Sequence, residues 1–414
     1  MSDHIARVKF AIAELQRGKM IILTDHPDRE NEGDLVAAAE TITVEQMNFF
    51  IRHGGGIICL PMSEELLQRL QLPLMVSPQN NSSTYHTPFS VSIDAKDGIK
   101  TGVSALDRTV TVKKAIAADT KPDDLVKPGH MFPLQAKPGG VLERQGHTEG
   151  STDLVALAGF KKAAVLGEIM NDDGTMATGE QLAAFAKQHD LCILSIDDII
   201  AYRLLNEDMI TEVTSTDLPL EDYGTLQLTV LREKIQLTEH MILTKPRIDK
   251  SKPILVRIHS ACATGDLFGS NRCDCHKQLH YSLERISEEG GMLIYLNQEG
   301  RGIGLFNKIK AYALQEKGLD TVEANEKLGL PIDARNYALA ANILRNQQIN
   351  HIRLLTNNPE KVADLLKYGI EKVERVAMPS FHNDINQHYL KTKKEKLKHV
   401  INFDYISNKT KGEK

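Results

Sequence analysis

Cys262, Cys273 and Cys275 are three of the five cysteines in a chain of 414 residues, and their spacing is C-x10-C-x-C. Two thiolates one residue apart reach a single ion if the backbone turns between them. A third, ten residues earlier, completes one face of a tetrahedron. Three protein ligands with the fourth position open describe a catalytic zinc ion, whereas a structural zinc is closed by four. The spacing alone leaves three readings: an open zinc site, a structural site closed by His259, His276 or His280, or three ordinary buried thiols. A second group lies near the start, in DHPDRENEGDL, where Asp25, Asp28, Glu30, Glu32 and Asp34 crowd around Arg29. So many like charges repel unless a cation sits among them, and otherwise they form a solvated acidic loop.

Other segments carry groups suited to phosphates and protons. NQEGRGIGL (297–305) follows a strand-like run and opens a helix-like one. Its glycines 300, 302 and 304 let backbone approach a ligand, and Arg301 adds a planar charged fork. PIDARNYALAANIL places Asp333 and Arg335 in the first turn of a predicted helix, and LLTNNPEKV places Lys361 in another. In the first half, KPGHMFPL offers His130, VLERQGHTEGSTDL offers Arg144, His147 and Thr148, and GEIMNDDGT offers Glu168. TGVSALDRTVT adds Arg108 as either a cap or a phosphate contact. Taken singly, each reads more readily as a capping or surface residue.

The elements that must position these groups follow from periodicity. Apolar runs at 20–25, 55–62, 163–170 and 191–196 read as buried strands, and GEQLAAFAKQHD and DDIIAYRLLNED as amphipathic helices. The second half repeats the style, with strands in PILVRIHS, GMLIYLNQ and HIRLLT. HKQLHYSLERISEEG, LFNKIKAYALQEKG and DARNYALAANILRNQ read as its helices. Such alternation predicts two successive α/β domains of three-layer type with mixed sheets. The boundary is expected in the polar EVTSTDLPLEDYG region, giving domains over 1–206 and 207–414. The lysine-rich end, KTKKEKLKHV, reads as a solvated helix followed by a frayed tail. The chain is 41% apolar and 25% charged with a net charge of −5, which gives no reason to expect nucleic-acid binding. No run approaches the roughly eighteen apolar residues of a membrane span, and the start has no apolar signal core, so a cytoplasmic location with reduced thiols is expected.

The motifs also carry two resemblances. VRIHSACATGDLFGSNRCDCHKQL, QEGRGIGLFNKIKAYALQEKGLDTVEAN, DARNY and LLTNNPEKV resemble GTP cyclohydrolase II, across about 218–401. That family opens the imidazole ring of GTP and releases formate and pyrophosphate, leaving a diaminopyrimidine ribosyl phosphate. The resemblance implies zinc on Cys262, Cys273 and Cys275, with Mg2+ on the GTP phosphates. It implies a GTP pocket lined by Arg257, Ile258, His259, Ser260, Ala261, Gln278, Glu299, Gly300, Arg301, Thr321, Thr356 and Lys361, with Tyr312 facing it. Asp333 would be the general base. Arg335 would be a nucleophile toward the α-phosphate, although a guanidinium is physically more natural as a phosphate clamp.

DRENEGD, TGVSALDRT, PGHMFPL, ERQGHTE and EIMNDDGT resemble 3,4-dihydroxy-2-butanone 4-phosphate synthase, across about 5–206. That family turns ribulose 5-phosphate into dihydroxybutanone phosphate and formate with Mg2+ or Mn2+. The resemblance implies Glu30 and His147 as metal ligands. Arg29, Asp34 and the run Arg144, Gln145, Gly146, His147 and Thr148 would contact the sugar phosphate, and Glu168 would reach it too. His130 and Glu168 would move protons. Both resemblances imply a homodimer. The chain departs from its families at Gln135, Gln145, Ala261 and Asn297; the last two stand where Glu and Arg are usual. These readings predict a two-reaction enzyme. The alternative is an active synthase fused to a weakened or regulatory zinc-containing partner.

Overall fold

The computed structural model describes residues 2–331, 333, 335 and 337–401. The chain divides into two compact units, Met1–Arg203 and Leu204–Lys414, each built on a seven-stranded sheet. In the first, the strands are β1 (Ile21–Thr24), β2 (Gly33–Ala38), β3 (Gly55–Ser63), β4 (Ile93–Ala95), β5 (Leu125–Ala136), β6 (Ala164–Ile169) and β7 (Ile193–Ser195). Their spatial order is β4-β5-β3-β6-β2-β1-β7. Only β1 with β7 and β3 with β5 pair in parallel, so the sheet is mixed. Ile21, Leu23, Val36 and Ala38 enter one apolar cluster, while Ile22, Leu35 and Ala37 enter another. The period of two sends alternate side chains to opposite faces, so helices cover both sides and the unit has three layers.

The second unit contains β8 (Ile210–Leu220), β9 (Gly224–Glu233), β10 (Glu239–Thr244), β11 (Ile254–Ser260), β12 (Gly291–Leu296), β13 (His351–Leu355) and β14 (Lys372–Val376). Their order is β14-β13-β11-β12-β10-β9-β8. β12, β11, β13 and β14 are mutually parallel and β8 to β10 antiparallel. Six of the seven residues of β11 are buried, as expected of a central strand covered on both faces.

Three expectations are corrected. The polar segment read as a linker is β8, a long edge strand whose side chains are mostly exposed. An edge strand open to solvent has no apolar alternation to betray it. Asp333 and Arg335 do not sit in a helical first turn; they precede the helix Ala338–Asn346. The lysine-rich end is not simply solvated: in the helix Gln387–Glu395, Leu390 and Thr392 are buried and the Lys393 side chain is only 14% exposed.

Candidate active sites

The first site grows from the sheet register. Phe132, Cys59, Leu166 and Val36 are aligned across β5, β3, β6 and β2, and all pack on one face. Two residues further along three of those strands stand His130, Glu168 and Asp34, on the same face and at the same sheet end. Asp34 and Glu168 are direct cross-strand partners. His130 lies two strand spacings from Glu168, about 10 Å. The helix His147–Leu157 packs Leu154 and Val155 onto this face and brings its first residue to the row. His147 Nδ1 is then 3.4 Å from Glu30 Oε2 and 3.9 Å from Asp34 Oδ2.

The acidic loop is folded back on Asp25, which accepts the backbone N–H groups of Glu30 at 3.0 Å and Glu32 at 2.9 Å. Arg29 donates to Asp25 at 2.9 Å and to Glu30 at 2.6 Å, and stacks 4.6 Å over the Tyr85 ring. Arg144 donates to Glu149 at 2.6 Å and to the Tyr85 carbonyl at 3.1 Å. Both arginines are thus held inside the loop network, and only their remaining donors can face a phosphate. Gly146 caps the helix, Thr148 is buried in its first turn and Gln145 is exposed.

Oxygen and nitrogen atoms of Asp25, Glu30 and His147 lie within 4.8 Å of one another, close enough for one cation. Asp34 Oδ1 and His147 Nε2 are buried without a hydrogen-bond partner, so the residues fit a hard divalent ion that would satisfy them. Burial pushes Asp34 up to about 7. Burial alone would lower His147, yet Asp34 and Glu30 hold its imidazolium up to about 9. Burial, then the Glu30 charge, raises Glu168.

Sequence reasoning missed Asp94. Its carboxylate accepts the His130 backbone N–H at 3.0 Å and meets His130 Nδ1 at 2.7 Å, which orients the ring. A Cβ on Gly102 would come within 2.2 Å of Asp94 and 2.6 Å of His130, so only glycine lets the two rest there. Nothing in the short run around Asp94 marks it in advance. Arg108 binds the Val103 and His130 carbonyls, a backbone brace for the same histidine.

The second site is an open cleft at the ends of β11 and β12. The three sulfurs lie within 4.8 Å of one another, with Cys262 and Cys273 3.7 Å apart and no disulfide. Gly265 forms their cradle, because a Cβ there would lie 2.8 Å from Cys273 Sγ and 3.0 Å from Cys262 Sγ. The candidate fourth ligands are engaged elsewhere. His259 bonds Asp266 at 3.1 Å, His276 faces the Asp266 carbonyl at 3.4 Å, and His280 meets the Tyr223 hydroxyl at 2.6 Å. Packed so closely, the thiols lower Cys262 and raise Cys275, so they cannot all ionise without a cation. The donor set fits zinc with one position open.

All the expected GTP-lining residues except Ile258 border this cleft, and so do Tyr312 and Arg335. Ile258 is buried in β11 and accepts from Lys361 Nζ at 2.9 Å. Arg257 donates to the Leu355 carbonyl at 2.9 Å and to Gln278 at 2.8 Å. Asp333 does not reach the cleft wall; it holds Arg335, whose Nε is 2.8 Å from Oδ1. Burial would lower Arg335, but Asp333 keeps it cationic. Burial would raise Asp333, and Arg335 holds it below the usual carboxylate range. Missed in the sequence were Lys308, 3.1 Å from Cys262 Sγ and 2.8 Å from Glu299, and the C-terminal Tyr389, Lys393 and His399.

The comparisons accord with this pairing of sites. A model of the 3,4-dihydroxy-2-butanone 4-phosphate synthase family matches residues 9–202, and one of the GTP cyclohydrolase II family matches 211–377. The riboflavin biosynthesis protein RibBA of Aquifex aeolicus is 51% identical over 398 residues, covering 95% of this chain and 97% of that one. RibBA of Bacillus mycoides is 48% identical over 397 residues, 96% of this chain and 99% of its own. Among solved structures, RibBX of A. baumannii, described as a two-domain 3,4-dihydroxy-2-butanone 4-phosphate synthase, is 35% identical with a TM-score of 0.69. It is matched over 90% of this chain and 100% of its own. The chain therefore belongs to the family of bifunctional riboflavin biosynthesis proteins, in which a 3,4-dihydroxy-2-butanone 4-phosphate synthase and a GTP cyclohydrolase II share one polypeptide.

Proposed function

We propose that the two reactions run at the two sites just described, one in each unit. The first unit converts ribulose 5-phosphate to dihydroxybutanone phosphate and formate. Glu30 and His147 hold the divalent ion there, magnesium or manganese, with Asp25 as a third ligand. When bound, that ion chelates vicinal oxygens and acidifies the neighbouring C–H. Glu168 takes and returns protons, a role suited to a carboxyl raised by burial and a neighbouring charge. His130, oriented by Asp94, is the second proton-transfer group. Arg29, Arg144 and the free N–H groups after Gly146 hold the sugar phosphate, with Gln145 and Thr148 at its edge and Asp34 toward the hydroxyls.

The second unit converts GTP to the diaminopyrimidine ribosyl phosphate, formate and pyrophosphate. Cys262, Cys273 and Cys275 hold zinc, which when bound lowers the pKa of a water to about 7. Lys308 balances the charge of Cys262. Arg257, Arg301 and Lys361 take the phosphates, whose charge a magnesium ion would help to offset. Arg335 is a phosphate clamp, since it stays cationic. Asp333, held off the cleft by Arg335, can serve as the proton acceptor only once a phosphate draws that arginine away and the freed, more basic carboxylate turns into the cleft.

The observation that carries the reading is that each unit assembles a complete set of groups from distant parts of its own chain. A formate assay run separately with ribulose 5-phosphate and with GTP tests it. Formate from both substrates is expected. Formate from ribulose 5-phosphate alone, in zinc-loaded protein, would leave the second unit a weakened or regulatory partner. We place the protein in the cytoplasm, in keeping with five unpaired cysteines and no helix among the described residues long and apolar enough to cross a membrane. A homodimer would cover apolar side chains such as Leu267 and Phe268, 76% and 81% exposed.

A further inference from the structure

We propose that the C-terminal helix Gln387–Glu395 completes the nucleotide site, with Lys393 as a ligand for the triphosphate. This rests on the reading of the second unit as the GTP site. The helix lies beyond residues 211–377, the segment matched by the cyclohydrolase family. Its face is set by helical spacing. Asn386 and Leu390 are buried, and Tyr389 and Lys393 stand beside them on the cleft wall. The other lysines of the run turn outward: the Lys391 side chain is 65% exposed, and Lys396, at 43%, pairs with Glu323. One lysine of the run is therefore selected to point inward.

The charge around it is unbalanced. Arg257, Arg301, Arg335, Lys361 and Lys393 all border the cleft. Among the described residues, carboxylates pair with only two of these five: Asp333 holds Arg335, and Asp274 Oδ1 lies 3.3 Å from Lys393 Nζ. Lys361 rests on the Ile258 carbonyl and the Tyr337 ring, and Arg257 Nε and Arg301 Nη1 are buried with no hydrogen-bond partner. Cations gathered in a buried wall repel one another, a cost that a polyanion removes on binding. Tyr389 brings Arg301 and Lys393 together, its ring 5.8 Å and 4.5 Å from their charges. Lys393 thus stands beside Arg301, where a chain of phosphates would need its next cation.

The test uses the full-length, zinc-loaded protein. Lys393→Gln should raise the KM for GTP at least tenfold and weaken inhibition by pyrophosphate to a similar degree, with kcat changed less. Lys393→Arg should restore most of the affinity, and the outward-facing Lys394→Gln should leave both values alone. Zinc content and formate release from ribulose 5-phosphate should not move. An unchanged KM and unchanged pyrophosphate inhibition in Lys393→Gln overturns the proposal. So does loss of zinc in both Lys393→Gln and Lys393→Met, which would make Lys393 a strut for Asp274 between the metal-binding cysteines. If the wild-type protein releases no formate from GTP, the reading of the site fails. Calorimetry with magnesium pyrophosphate then decides the inference alone, by whether Lys393→Gln binds at least tenfold more weakly.

Discussion

At the first site Arg29 and Arg144 are each tied to a carboxylate, and the acidic groups face a buried imidazole. At the second, Arg257 and Lys361 lean on carbonyls and a side-chain amide, and among the described residues cations of the cleft wall outnumber the acids paired with them. The two sheets are alike in strand number and in mixing parallel with antiparallel pairs, so the sheet does not dictate the difference. It follows from what each site must hold. A sugar monophosphate brings little charge, so the first site can keep an acidic surplus for a divalent ion to offset. A nucleoside triphosphate brings several negative charges, so the second site can be left positive and is completed by its substrate.

The largest expected effect separates the sites outright. Cys273→Ser should remove zinc and lower GTP turnover by at least about a thousandfold, because the Lewis acid goes with the metal. Formate release from ribulose 5-phosphate should stay within a factor of two. Zinc analysis alongside the two assays checks this; GTP activity without bound metal would refute the metal reading. The mirror-image change is Glu168→Gln, which keeps shape and removes a titrating group. It should cost the ribulose 5-phosphate reaction about a hundredfold to ten-thousandfold and spare GTP ring opening. Loss of both activities in folded protein would mean that the sites are coupled.

The sequence made the candidate ligands legible and their supports obscure. Cys262, Cys273 and Cys275 stood out as candidates by spacing, because a metal site needs reactive residue types at short range. Asp94 could not, because its role depends on a strand pairing that brings it to His130 from 36 positions away. Strands such as β11 and β12 were visible as apolar runs, while β8 was not, since solvent on its exposed faces imposes no pattern. Lys393 was hidden by its neighbours. A run of lysines reads as a solvated face, and only the packing of Leu390 and Asn386 shows which one turns inward.

A smaller effect tests, through pH, how far burial and the neighbouring lysine hold His399 neutral. Burial, then Lys393, pushes His399 down to about 4, so this residue stays neutral in the folded chain across most of the acid range. An unfolded histidine takes its proton near about 6.5. Between those values the unfolded state binds more protons, so stability should fall as pH falls from about 6.5 toward 4. His399→Gln removes that contribution. Its melting temperature should gain on the wild type by a few degrees as the pH is lowered, with the gap closing at pH 7.5. A constant gap across the range would mean that His399 takes up its proton alike in the folded and the unfolded chain.

The smallest effect concerns Ala261 and Asn297, the two departures from the cyclohydrolase pattern. The parallel register ends with Ser260 beside Leu296, and Ala261 N–H donates to the Leu296 carbonyl at 2.8 Å, so positions 261 and 297 are neighbours. A Glu and an Arg placed there are within reach of each other. Asn297 is exposed, however, and is not part of the cleft wall, whereas Ala261 is. An ion pair with one partner in water contributes about 0.2–1 kcal/mol, far below the roughly 3–5 kcal/mol that breaking a buried pair costs. Losing either member alone therefore strands no buried charge. Ala261→Glu by itself should recover most of whatever GTP affinity the site has lost, and Asn297→Arg should add little. A double-mutant cycle on kcat/KM for GTP should give a coupling below about 1 kcal/mol. A coupling of several kcal/mol would mean that the arginine swings into the cleft, and would move position 297 from the rim of the second site to its interior.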